Sequence, residues 1–557
     1  MKKIYLTLIA ALLLSLVLKA QAPAYAWAKS GSGTNDDGAY SVATDASGNV
    51  YIAGAFSSST ITFDTFTLTN NGSYDMFLVK YDAGGNVLWA KSAGGANSDV
   101  INGIAVDDSG NVIVTGSSQS IFFYIGSSFL ANNANQWIFV IKYDANGNVI
   151  WSMSTQGDLY DAGTSVSTDA QRNIYVTGFF SSNTITFDSV TLYSYGGYNT
   201  FIVKFSPGGN VLWGTVIGHG NGDEFGQNVI IDASGDILCS GWFTSAKLII
   251  SNDTLINGGG YDMFLVKYDP YGNFLWAKSA GSAGFDVETS IATDTSDNVI
   301  MTGYYQSQSI TFGTHILNNV STDSSNIFVV KYDPSGNVLW AKSFGNGNAS
   351  DEAFYLATDA SGNTFVTGMF RSAFIAFDSD TMINAYPGYD DVFVIKLDAN
   401  GNVKWVTSAG GDSYDDGLSI AVDALGNVYV AGQFQSSTIT FDSYTLTNAN
   451  PGPADPFVAK IAIVNAGIKT FSENNINVNI FPNPFSTSAT LSIDGSETYK
   501  YNTIKIYNLL GQEVRSMFIG NQNEITINRD NLAAGMYFYK LITNKNETLA
   551  TGKMIIE

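Results

Sequence analysis

Residues 331–345 read KYDPSGNVLWAKSFG, and almost the same phrase stands at 80–94 (KYDAGGNVLWAKSAG) and at 267–281 (KYDPYGNFLWAKSAG). Its tryptophan marks a period: Trp27, Trp89, Trp151, Trp213, Trp276, Trp340 and Trp405 follow one another at intervals of 62 to 65 residues. A second marker is a glycine inside a strand-like run, Gly54, Gly116, Gly178, Gly241, Gly303, Gly368 and Gly432, which counts seven copies. Each copy holds four strand-like pieces, in the first YSVATD, NVYIAGAF, MFLVKYD and NVLWAKS. Alternation and β-branched content mark these as strands, and the region has no helical periodicity. DASGN (45–49) and DPSGN (333–337) put Asp at the first turn position and Gly where a left-handed backbone is needed. That is the chemistry of a tight hairpin with a glycine bulge. A calcium loop would need more carboxylates at alternating positions.

Four antiparallel strands, lettered a to d along the chain, make a β-propeller blade. A linear array would use the same repeats, so the ends decide. The seventh copy runs through NVYVAGQF (427–434) to FVAKIAIV (457–464) and lacks a fourth strand, whereas AYAWAKSGSG (24–33) is an orphan fourth strand at the other end. The predicted fold is all-β: a seven-bladed β-propeller over residues 23–464, closed by the N-terminal strand, then a small β-sandwich. Closure satisfies the edges that an open array would expose. Between strands b and c stand insertions such as STITFDTFTLTNNGSYD (59–75), each read as an added small hairpin. They decorate one face, and ligand binding is expected on those loops.

The formal net charge of the 557 residues is −23. That excludes a broad basic surface for nucleic acid or anionic lipid. The single cysteine, Cys239, excludes an intrachain disulfide framework and aligns with core positions of strand b. Residues 1–22 read as a signal peptide: Lys2 and Lys3 precede the apolar run Ile4–Leu18, and KAQA (19–22) offers small residues for cleavage. No later segment is expected to span a membrane. The expectation is an exported, monomeric protein.

Counting back eight residues from each a–b turn aspartate gives Asp37, Asp99, Asp161, Glu224, Asp286, Asp351 and Asp415, acidic in every copy. The propeller would set them as a ring on the decorated face. They either brace the connections by accepting backbone N–H groups or gather a divalent cation such as calcium. Bracing is preferred, because a residue needed in every blade is a requirement of the blade. Catalytic constellations are thin. His219 and His315 read as repeat drift, and nucleophile elbow, phosphate loop and zinc signature are all missing. No catalytic residue and no cofactor are expected.

The phrase YDxxGNVLWAKS, followed by ATDASGNVYIAG, resembles the bacterial β-propeller repeat family called SBBP over residues 24–464. The resemblance implies the propeller fold and an extracellular setting, and no single activity. Residues 465–475 read as a linker, and 476–557 follow another grammar of strands punctuated by Pro, Gly and Asn. FPNPF (481–485), YNLLGQEV (507–514), AGMYFYKL (534–541) and a lysine near the end resemble the type A sorting domain of type IX secretion in Bacteroidota. That resemblance places Pro482, Asn483, Pro484, Gly511, Gly535 and Lys553 at motif positions. It implies the type IX machinery as partner, with release or surface attachment of the mature protein. The expected function is glycan or protein binding at the surface, and the alternative is a polysaccharide hydrolase using carboxylates of the decorated face.

Overall fold

The computed structural model describes residues 23–462, except 133, 346, 347, 379 and 449, and residues 477–556, except 495–500, 509–511, 521, 523 and 544–547. The signal peptide over 1–22 and the linker over 465–475 lie outside the described residues. Every regular element is a strand, with no helix among the described residues. The chain divides into two compact units, Met1–Ile463 and Val464–Glu557.

The first unit is built from repeated four-stranded antiparallel sheets, the blades of a β-propeller. In sheet 1 the order is Asp37–Thr44 (a), Val50–Phe56 (b), Asp75–Tyr81 (c) and Val87–Ala93 (d). Sheets 2 to 6 repeat that order along the chain. Sheet 7 takes strands a to c from Asp415–Val422, Val428–Phe434 and Asp455–Ile461, and its fourth strand is Tyr25–Ser30. That pairing is antiparallel, with Ala28 opposite Ala459 and Ser30 opposite Phe457. In every sheet a two-stranded hairpin stands between strands b and c, in sheet 1 Thr60–Phe63 with Phe66–Thr69.

The opening phrase has a packing role at each seam between sheets. The indole N–H of Trp27 donates to Ala83 O at 3.2 Å, that of Trp89 to Ala145 O at 3.2 Å, and that of Trp340 to Ala399 O at 3.1 Å. Each acceptor is the c–d turn of the next sheet. The strand-c lysine, that of KYD in sheets 1 and 5, reaches the same carbonyl: Lys80 Nζ to Ala145 O, Lys331 Nζ to Ala399 O, and Lys460 Nζ of sheet 7 to Ala83 O of sheet 1. Within its own sheet that lysine pairs with the a–b turn aspartate, Lys142 with Asp107 at 2.9 Å and Lys331 with Asp294 at 2.7 Å, both buried. A buried ammonium thus has a carboxylate and a carbonyl to satisfy it, as low-dielectric burial demands.

The a–b turn follows its sequence reading. Asp45 Oδ1 accepts the N–H groups of Ser47 and Asn49, each at 2.9 Å, and Gly48 sits at φ +78°. The repeated strand-b glycine has a different cause. A register shift between Ala39 and Ser41 bulges strand a toward strand b, and a methyl on Gly54 would overlap the carbonyl oxygen of Gly38. The same overlap recurs at Gly116 against Val100 and at Gly432 against Asp416. Only a residue without Cβ fits opposite such a bulge.

The second unit holds a three-stranded sheet (Asn477–Phe481, Ser488–Asp494, Glu524–Asn528) and a four-stranded sheet (Glu513–Phe518, Tyr501–Tyr507, Gly535–Thr543, Thr548–Ile556). Leu491 and Ile527 of the first share one buried core with Ile504, Ile506, Leu541 and Met554 of the second. Two sheets around one core make a small sandwich.

Candidate functional site

The seven acids of the repeat each open a strand a and are buried. Each carboxyl meets a serine hydroxyl 21 residues on. Asp37 accepts from Ser58 Oγ at 2.6 Å, Asp161 from Ser182 Oγ at 2.7 Å and Asp286 from Ser307 Oγ at 2.6 Å. Asp351 accepts from Ser372 Oγ at 2.9 Å and Asp415 from Ser436 Oγ at 2.7 Å. Ser120 Oγ donates to Asp99 at 2.8 Å, and Ser245 Oγ donates to Glu224. Backbone N–H groups join them, as at Ser57 and Ser58 on Asp37 Oδ1. The serine oxygen in turn accepts N–H groups of the connection before strand a, Thr34 and Asn35 on Ser58, Asp158 and Leu159 on Ser182. Acid and serine therefore tie strand a, the end of strand b and the d–a connection into one knot.

A second polar column lies beside the first. The residue opening strand c is Asp75, Asn199, Asp262, Asn326, Asp391 or Asp455 in six sheets, all buried, and Trp137 in sheet 2. Among the described residues Asp75 Oδ1, Asp262 Oδ1, Asn326 Oδ1 and Asp391 Oδ1 have no hydrogen-bond partner. A Cβ on Gly94 would meet both Asp75 and Asp99, so the two carboxyls, from adjacent sheets, stand close together. Burial pushes Asp37, Asp75, Asp161 and Asp262 up to about 6, and Asp391, Asp415 and Glu224 up to about 7. The neighbouring carboxyl adds to the rise at Asp75, Asp262 and Asp415. The seven acids stay in their own seams: among the described residues no three His, Cys, Asp or Glu side chains converge to hold a metal ion.

The strand-a side chains that leave the seams line a cavity of about 430 Å³, from Tyr40 and Asn102 to Thr164, Asn228 and Thr289. A second cavity of about 550 Å³, the mouth on the side of the acids, shares Tyr40, Gln227 and Thr289 with it and is lined by Trp242, Tyr261, Phe285, Tyr304, Glu352 and Phe354 among others. Half of this mouth is aromatic. Phe225 and Trp242 stack at 4.1 Å, Trp242 and Tyr261 at 4.7 Å, and Tyr198 with Phe225 and Phe285 with Tyr261 continue the arc, each at 4.8 Å. Beside Glu352 of the lining stand the charged groups Arg371, Asp390 and Asp416. Arg371 holds Asp390 through two bonds of 2.8 and 3.0 Å and lies 5.6 Å over the Tyr414 ring. Glu352 accepts from Ser325 Oγ at 2.8 Å, and burial raises its carboxyl above the ordinary range. Burial likewise pushes Asp416 up to about 6.

His219 is exposed and its ring stands against that of Tyr195 at 3.8 Å, while His315 lies in a small hairpin. Cys239 is fully buried, and burial pushes its thiol up to about 12. Neither histidine reaches the mouth lining. The serine column and the aromatic arc both escaped sequence reasoning. The serines had a signal, constant spacing from the acids. Of the arc, Trp242 shares a register with neighbouring aromatics: Phe179, Trp242 and Tyr304 are each the next-to-last residue of a strand b.

In the second unit, Asn483 fastens the exposed turn Pro482–Pro484 to the last strand: its Oδ1 accepts Ile555 N–H at 2.8 Å and its Nδ2 donates to Lys553 O at 3.3 Å. Gly535 pairs with Ile556 on that same strand, and Lys553 is exposed. Gly511 lies outside the described residues.

Residues 479–557 match the family described as a secretion system C-terminal sorting domain, and residues 88–123 match the β-propeller repeat family SBBP. Among curated proteins the chain is similar to an uncharacterized WD repeat-containing protein, L264, of Acanthamoeba polyphaga mimivirus, 28% identical over 534 residues. That match covers 78% of this chain and 38% of the relative. It is also similar to the regulatory protein FlaEY of Caulobacter vibrioides, 26% identical, covering 35% of this chain and 22% of that one. The chain thus spans less than half the length of these curated relatives. Among solved structures, Sqt1 from Chaetomium thermophilum matches at a TM-score of 0.37 and 9% identity, over 74% of this chain and 97% of that one. A copper-bound fungal alcohol oxidase matches at 0.30 and 14%, over 81% and 96%. No helix among the described residues is long and apolar enough to cross a membrane.

Proposed function

We propose that this exported β-propeller repeat protein, handled by type IX secretion through its sorting tail and then secreted or attached at the outer-membrane surface, binds a glycan at the mouth of its central channel. The observation that carries the reading is the aromatic arc Tyr198, Phe225, Trp242, Tyr261 and Phe285. Sugar rings present C–H faces that stack on aromatic faces, and a few polar groups then fix orientation. Glu288 and Glu352 line the mouth, and the charges of Asp390, Asp416 and the already paired Arg371 act on Glu352 from beside it. A neutral or cationic glycan suits that charge, and a uronate-rich one does not.

The scaffold of the proposal is a ring of seven blades closed by Tyr25–Ser30, preceded by a cleaved signal peptide over 1–22. A recurring backbone bond supports closure: the acid's N–H donates to the residue before strand c of the preceding sheet. It runs from Asp99 to Tyr74 O and from Glu224 to Tyr198 O, and Asp37 makes it to Ala454 O, from sheet 1 to sheet 7. The acid column braces this ring, and the mouth is where the copies differ. Binding of the full chain to a glycan array tests the reading. Trp242→Ala and Tyr261→Ala should each weaken the best hit at least tenfold with the melting temperature unchanged. Retention of every hit by both variants would refute it.

The raised carboxyls Glu352 and Asp416 favour one second reading, hydrolysis of the bound glycan by an acid and a base. Release of reducing ends by the wild type, abolished in Glu352→Gln, would select it. Binding without release selects the first.

A further inference from the structure

The small hairpins between strands b and c share one construction. In sheet 1, Ile61, Phe63 and Leu68 point inward and are buried, while Thr60, Thr62, Thr67 and Thr69 form the outward face. Thr62 meets Thr67 across the strands at 3.1 Å, and the same pair recurs as Thr186–Thr191 at 3.0 Å and Thr440–Thr445 at 3.2 Å. The hairpin of sheet 2, Phe122–Ile125 with Ser128–Ala131, keeps the inward side with Phe123, Ile125 and Leu130. Its outward side is rebuilt. Phe122, Tyr124 and Phe129 stand where sheet 1 has Thr60, Thr62 and Thr67. They are 51%, 64% and 55% exposed, and Ile121 beside them is 62% exposed.

The three rings form one platform, with centroids 5.1 Å apart for Tyr124–Phe129, 5.7 Å for Phe122–Phe129 and 6.3 Å for Phe122–Tyr124. Threonine at these positions builds the same hairpin elsewhere in the chain, so the fold does not call for aromatics here. Exposed aromatic surface of this kind costs solvation, and contiguous exposed patches mark interaction sites.

We infer that the outward face of this hairpin is a second carbohydrate platform, which takes neutral polysaccharide by stacking pyranose rings on Phe122, Tyr124 and Phe129. Two other occupants fit less well. A second copy of the chain would need roughly 800 Å² per partner for a stable dimer. Four side chains, with aromatics of about 150–250 Å² each and only part of that exposed, fall short of it. An anionic lipid surface would need cations beside the apolar group. No lysine or arginine stands between Lys91 and Lys142, and the chain carries a net charge of −23. A sugar polymer needs neither area nor cations. It needs apolar ring faces with a polar tip, which the Tyr124 hydroxyl supplies.

The test is retention of the full chain on insoluble cellulose, chitin, β-1,3-glucan and mannan. The variant Phe122→Thr, Tyr124→Thr, Phe129→Thr transplants the side chains of sheet 1 and should melt like the wild type. At least one polysaccharide should bind it tenfold or more weakly. In a Trp242→Ala background, the residual retention should vanish when the three threonines are added. Loss of retention through the hairpin with no effect of Trp242→Ala would sink only the reading of the mouth. Equal retention of variant and wild type on all four materials, or retention of neither, would overturn the platform. So would loss, in the variant, of a dimer seen by sedimentation velocity or of binding to phosphatidylglycerol vesicles.

Discussion

Asp415→Asn isolates the charge at one seam while keeping its shape. Asp415 is fully buried, accepts the Ser436 hydroxyl at 2.7 Å, and has Asp391 as a charged neighbour. Burial pushes its carboxyl from the usual 3.8 up to about 7. Below about pH 4 both folded and unfolded chains hold the proton, and nothing is lost. Between about 4 and 7 only the folded chain holds it, so stability falls as pH rises. Above about 7 the full penalty applies. A displacement of this size corresponds to roughly 4 kcal/mol at about 1.4 kcal/mol per pH unit. The asparagine has no proton to lose and its carbonyl still accepts from Ser436. The variant should exceed the wild type least at pH 4.5 and most at pH 8, where the lead is a few degrees in melting temperature. Comparison with the variant matters because self-repulsion of an acidic chain also grows with pH. The assay is thermal unfolding by circular dichroism from pH 4.5 to 8.5, with and without calcium. A variant that loses stability equally at every pH would refute the protonated-seam argument. A calcium-induced rise in the wild type that the variant lacks would show instead that the seam holds a cation.

Deleting Tyr25–Ser30 removes the strand paired with Asp455–Ile461 and the buried side chains of Tyr25 and Trp27, and should lower the melting temperature markedly; an unchanged melting curve would count against closure. Gly116→Ala sets a methyl against the carbonyl of Val100 and should cost about 2 kcal/mol or more by chemical denaturation, with Ser117→Ala nearly neutral. A chain without residues 476–557, expressed in a host with type IX secretion, should stay in the periplasm; surface display of that truncation would overturn the assignment of the tail.

What the sequence disclosed about this fold follows from how strictly each position is constrained. The turn Asp–x–Ser–Gly–Asn could be read because a hairpin with a glycine bulge admits few residues, and the strand-b glycine could be counted because the bulge of strand a leaves no room for Cβ. Trp27 announced its strand, and its partner in the next sheet's turn is visible only in three dimensions. The acid column was legible as a column, while its serine partners were not, since Ser58 and Ser120 look like ordinary loop residues until a carboxyl meets them. A signal fixed in every copy reports what every blade needs. The mouth obeys the opposite logic: Phe179, Trp242 and Tyr304 share a register with Ala55, Ser117, Met369 and Gln433 in the other sheets. Variation there costs the scaffold nothing, because that register borders the channel and not a seam. A ligand that touches only part of a ring selects residues in the few copies it touches, so its site takes the form of departures from the repeat. Phe122, Tyr124 and Phe129 are departures of the same kind, from a threonine face that folds equally well without them. In a propeller of near-identical blades, chemistry has room only where the blades disagree.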